Sequence, residues 1–138
     1  MHTDEALKNL PALFGSLLVA ILFIQSGLDK VFDWKGNVEW LTGHFSKTFL
    51  NGTVPTMLAT ITLMEIATGV LAAAGIVYLL TTGSVALIFY ASVLGAASIT
   101  ALFFGQRVAK DYAGAAVLVP YFLLLLILMY LSNPYLRP

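Results

Sequence analysis

The stretch from Leu10 to Leu28 contains no charged residue, and three stretches of comparable length follow it: Val54 to Tyr78, Ser84 to Phe104 and Tyr112 to Leu131. Roughly 20 apolar residues carry a helix across the hydrocarbon of a bilayer. A chain in that environment must satisfy its own backbone hydrogen bonds, and a helix does so within a single stretch. Only 10% of the 138 residues are charged against 59% hydrophobic, too few charges to cover a soluble domain of this size. The predicted class is an all-α membrane protein, an antiparallel four-transmembrane-helix bundle forming one domain over residues 1–138. Its spans are expected at about 10–32, 54–78, 84–104 and 112–131.

The connections carry their own signals. Between the first two spans, Trp34, Val38, Leu41, Phe45 and Phe49 recur at helical spacing among Asn37, Glu39, Ser46 and Lys47. That pattern predicts an interfacial amphipathic helix over 34–50, anchored by tryptophan and ended at Asn51-Gly52. Asp111 is placed to cap the fourth span. Pro11 suits a first turn, whereas Pro120 should loosen the helix that contains it. The beginning of the chain reads as a membrane helix rather than a signal peptide: Asp4 and Glu5 stand beside Lys8, and no A-x-A pattern follows the apolar run.

Composition removes several function classes. Zero net charge gives no footprint for nucleic acid. With no cysteine, the chain cannot hold a CxxC pair, a disulfide, an iron–sulfur cluster or a covalently attached haem. His2 and His44 both lie outside the apolar stretches, so no pair of histidines faces across the spans, and no metal-ligand set stands out. Electrons, if the protein handles them, must come from a partner subunit or a diffusible quinone.

Glu65 is the one charge inside an apolar stretch. A carboxylate at that depth costs a few kcal/mol or more unless it is paired, hydrated or protonated. Thr62, Glu65, Gly69 and Ala72 share one helical face, and small and polar residues mark helix contacts in membranes, so Glu65 should point into the bundle. Counting equal depth from the ends of the expected spans brings Tyr90, Ser92 and Tyr121 near it, with Gln25 somewhat closer to the charged rim. These five define an expected polar pocket for ligand binding or proton handling. The same Glu65 could instead be a structural group bonded to a tyrosine. Lys30 counts as too near the rim to reach it, so the expectation is a neutral carboxyl donating a hydrogen bond. Asp29, Lys30, Asp33, Arg107, Lys110 and Asp111 form a charged rim that could pin the loops to one another or hold an anionic headgroup.

The runs FIQSGLDKVFD (Phe23 to Asp33) and EIATGVLAAAG (Glu65 to Gly75), with Lys110-Asp111 opening the fourth span, resemble the DoxX family of small bacterial four-helix membrane proteins. By residue type, Gly27, Lys30, Glu65 and Gly69 match positions of that family's pattern. The arginine often found between its second and third helices is replaced here by Thr81-Thr82-Gly83. The resemblance implies a multi-pass protein of the bacterial cytoplasmic membrane. It implies a redox-associated subunit that binds a quinone, or a partner oxidoreductase, through an intramembrane polar pocket. The family's more distant relatives suggest the alternative of a non-catalytic protein that binds or transports a lipid or small molecule. The lipid bilayer is the expected partner in either case, nucleic acid is not, and self-association is compatible with both.

Positive charge sets the expected orientation. Lys30, Lys35, Lys47, Arg107 and Lys110 follow the first and third spans, against Lys8 and Arg137 on the other side. Both termini are therefore predicted outside. Reporter fusions at Gly105 and at Pro138 should give opposite signals, with Gly105 cytoplasmic; a cytoplasmic Pro138 would show that the neighbouring acids override the lysines.

Overall fold

In the computed structural model, residues 3–136 are described; His2, Arg137 and Pro138 lie outside them. The described residues form six helices and no strand. A short α1 (Thr3–Lys8) precedes α2 (Leu10–Phe32). Then come α3 (Trp34–His44), α4 (Val54–Thr82), α5 (Ala86–Val108) and α6 (Tyr112–Ser132). Four of them, α2, α4, α5 and α6, are long and apolar enough to cross a membrane. α2 packs mainly on α4, α4 on α5 and α5 on α6.

The span boundaries differ from the sequence expectation in ways that local chemistry explains. α4 continues past Tyr78 to Thr82, where the Thr81 and Thr82 hydroxyls donate back to the carbonyls of Val77 and Tyr78, and Gly83 ends it at φ 77°. α5 runs one turn beyond Phe104 to Val108. Asp111 does cap α6, its Oδ1 accepting from the Gly114 amide at 2.9 Å. The helix expected over 34–50 ends at His44 instead. Beyond it, Ser46 and Thr48 donate to the carbonyls of Gly43 and Phe45, which competes with a continuing helical ladder. α3 itself buries no residue, whereas Phe45 is buried against the end of α5, its ring 3.5 Å from where a Cβ on Gly105 would lie.

Glycines set how closely the long helices approach. A Cβ on Gly27 would lie 2.5 Å from Ile66 Cγ1, and one on Gly69 would lie 2.5 Å from Ile24 Cγ1 and 2.8 Å from the Ile24 backbone nitrogen. These contacts pair α2 with α4 in opposite senses and fix their register. Gly75 stands against Ile88, and Gly95 against Thr68 and Leu125, which extends the same close packing to α5 and α6. Ser16 adds a cross-helix bond, its hydroxyl donating to the Ala72 carbonyl at 2.9 Å. Val19, Phe23, Leu79, Ile88, Leu125 and Leu128 fill the core between these contacts. Close approach of backbones through small residues is how helices associate without a hydrophobic drive between them.

Gly69→Ala should therefore destabilise the protein by about 1–3 kcal/mol, the usual cost of overpacking a tight contact. Gly43→Ala, where a Cβ meets no atom within 4 Å, should leave the thermal midpoint in mild detergent unchanged or slightly raised.

Candidate functional site

Register decides what reaches Glu65. With Gly27 against Ile66 and Ile24 against Gly69, the end of α2 at Phe32 falls level with Ile61, so α4 projects about two turns beyond it. Lys30 is thus nearly level with Glu65, although the two lie at very different distances from the ends of their own helices. The Lys30 Nζ stands 2.9 Å from Glu65 Oε1. The Glu65 side chain is 3% exposed and that of Lys30 is 19% exposed. This corrects the expectation that Lys30 stays at the rim, out of reach of Glu65: depth counted from each helix end assumes that the ends are level, and here they are not.

The ammonium is held from its own helix as well. It donates to Ser26 Oγ at 2.8 Å, with the Ser26 carbonyl farther off at 3.4 Å. Its approach to Glu65 Oε1 is close but not aligned as a hydrogen bond, and Oε1 has no hydrogen-bond partner among the described residues. The contact is an ion pair at close range. A buried pair of this kind roughly balances its desolvation cost when intact and becomes strongly unfavourable when one partner is removed.

Lys30 also lines a pocket of about 250 Å³. The pocket occupies the space left where α2 stops short. Val54, Met57, Leu58 and Ile61, on the projecting turns of α4, form one wall, and Leu102, Gly105 and Gln106 of α5 form another. Asn37, Trp40, Leu41 and Phe45 close it from the side of α3. The lining is largely apolar, and Lys30 is its one charged residue.

The α3 wall is tied down by a polar cluster at the α5–α6 turn. His44 Nε2 lies 2.8 Å from Gln106 Oε1 and 3.7 Å from Asp111 Oδ2, while its ring stacks on Trp40 at 4.6 Å. In the sequence His44 stands out only as lying outside the apolar stretches. The side chain is 15% exposed. Its spacing of four from Trp40 on a helix was the one available sign of this contact.

The other expected site residues do not converge on Glu65. Gln25 is exposed on the outer face of α2. Tyr90 is exposed, its hydroxyl 3.2 Å from that of Tyr135. Gly75 against Ile88 places Tyr90 level with Ala73, about 12 Å from Glu65 along the helix axis. Ser92 is buried and donates to the Phe89 carbonyl of its own helix. Ser98, buried and bonded to Leu94, is the α5 residue level with Glu65. Tyr121 is half-buried against the core. At the rim, Asp29, Asp33, Arg107 and Lys110 form no ion pair among the described residues. Asp33 sits over the first turn of α3 at Gly36, and Arg107 lies over the Tyr112 ring at 4.5 Å. Lys110 takes a left-handed φ of 61° in the turn before Asp111. No group of three or more metal-binding side chains occurs among the described residues. No protein family, curated protein or solved structure matches the chain.

Replacing Lys30 with Met strands a buried carboxylate and should cost about 3–5 kcal/mol of stability, whereas the double variant Lys30→Met/Glu65→Leu should recover most of that loss. Thermal or denaturant unfolding of the two single variants and the double variant measures the coupling; additive losses would mean that the pair does not act as a unit.

Proposed function

We propose that this chain is an integral membrane protein related to the DoxX proteins and placed in a bacterial cytoplasmic membrane. On this reading α2, α4, α5 and α6 cross as an antiparallel bundle and α3 lies at the interface. It serves as a redox-associated subunit, and the pocket beneath α3 receives the head of a quinone. The support comes from the amphiphilic lining. Lys30 reaches the pocket, but Glu65 already balances its charge. The site therefore suits a neutral head with a hydrogen-bond acceptor better than an anionic phosphate.

The chemistry follows from the donors present. The bond from Lys30 to the Ser26 carbonyl is long, so that proton can turn to a ligand carbonyl without breaking the 2.8 Å bond to Ser26 Oγ. Trp40 and Phe45 offer ring faces to a planar head, and Met57 and Leu58 offer apolar contact to a tail. Glu65 stands behind Lys30, where it holds the ammonium in place while Lys30 donates its hydrogen bond to the carbonyl oxygen that gains electrons from a partner oxidoreductase. The chain itself carries no cysteine through which to pass them.

A short-tailed benzoquinone should quench Trp40 emission saturably in purified protein carrying Trp34→Phe. Lys30→Met should weaken binding about tenfold, the scale of one hydrogen bond to a charged donor, and Arg107→Gln should not change it. Unsaturable quenching, or no effect of Lys30→Met, would overturn the assignment. Displacement of the quinone by short-chain phospholipid at equal concentration would move the site to the lipid-binding reading.

A further inference from the structure

The register that brings Lys30 to Glu65 also fixes the depth of Gln25. Residue 25 of α2 falls level with Thr68, the midpoint of α4, which spans Val54–Thr82. Gln25 is nevertheless exposed, and its amide has no hydrogen-bond partner among the described residues. On the outer face of α2, one turn inside the exposed Asp29, this leaves two N–H donors and a carbonyl acceptor among apolar neighbours, where an unsatisfied polar group is costly. Facing outward with no partner among the described residues, Gln25 requires one from outside the chain.

The surroundings of Gln25 specify that partner. Phe14, Leu18, Ile21, Gln25, Leu28 and Phe32 follow one another at alternating spacings of four and three. That is the heptad seam of two helices packed knobs into holes, with Gln25 as its single polar position. All six are exposed, Ile21 at 58% and Phe32 at 81%. The stripe carries no charge from Leu10 to Leu28, and the exposed Asp29 flanks it only at the charged rim, so the apolar part of two identical stripes meets without repulsion. Lys30, just beyond it, is turned inward to Glu65. An amide is both donor and acceptor, and a two-fold axis sets each residue of the seam opposite itself. We propose that α2 is the self-association helix of this protein: two copies pack along the Phe14–Phe32 seam, with the Gln25 amides bonded to each other across it.

The absence of cysteine allows a direct test. In native membranes treated with copper phenanthroline, Ile21→Cys and Leu28→Cys should give a product of twice the chain mass. Leu63→Cys, 72% exposed on α4 and off the seam, should not. Gln25→Leu should weaken self-association about tenfold, read by energy transfer between labelled copies diluted in vesicles, while Gln25→Asn retains most of it. Helical content and quinone quenching should be unchanged in Gln25→Leu, which separates this inference from the pocket assignment. Equal crosslinking of Leu63→Cys, unaltered energy transfer in Gln25→Leu, or a crosslinked product of another mass would each overturn it; the last would identify a different protein on the seam.

Discussion

The meeting of Lys30 and Glu65 depends on how closely α2 and α4 approach. Gly27 and Gly69 each leave room for an isoleucine of the other helix, and that double contact fixes the sliding register of the pair. A shift of one turn would carry the ammonium about 5 Å along the axis and leave a carboxylate in apolar surroundings without a counter-charge. The energetics of the charges and the packing of the small residues are therefore one constraint. The ion pair penalises every register but one, and the glycines make that register sterically available.

The same register produces the pocket. Because α2 stops level with Ile61, the first turns of α4 have no neighbour on that side. The chain fills part of the gap with α3 and the Phe45 ring, and leaves the remainder as a cavity with Lys30 at its polar end. The cavity, its apolar walls and its one cation thus follow from a mismatch in helix length. That mismatch is also why the pocket lies towards one end of the helices rather than at the level of Tyr90 and Ser92.

Sequence reading recovered the four long apolar helices, the Asp111 cap and the inward direction of Glu65, because each is set by local composition or helical periodicity. Partners across helices were less legible. The positions of Lys30, Gln25 and Tyr90 relative to Glu65 depend on register, and no periodicity within one helix encodes how far it slides along another. Gly27 and Gly69 were visible as small residues on α2 and α4, but small residues permit close contact without saying with which neighbour. The contacts of His44 were hidden for a related reason: its partners Gln106 and Asp111 lie more than sixty residues away along the chain. The early end of α3 reflects competition from serine and threonine hydroxyls, which overrode a hydrophobic stripe that continued to Phe49.

The wall formed by α3 is held differently from the rest of the molecule. It buries none of its own residues, its N-terminus has no side-chain cap, and His44 ties its far end to Gln106 and Asp111. Segments with few buried contacts open locally at a small fraction of the free energy needed to unfold the whole. Detaching α3 would uncover the pocket while leaving the register of α2 and α4, and with it the ion pair, in place. The residence time of anything bound there would then be set by the lifetime of the histidine contact and of the Trp40 stack, and the stability of the four long helices would have little influence on it.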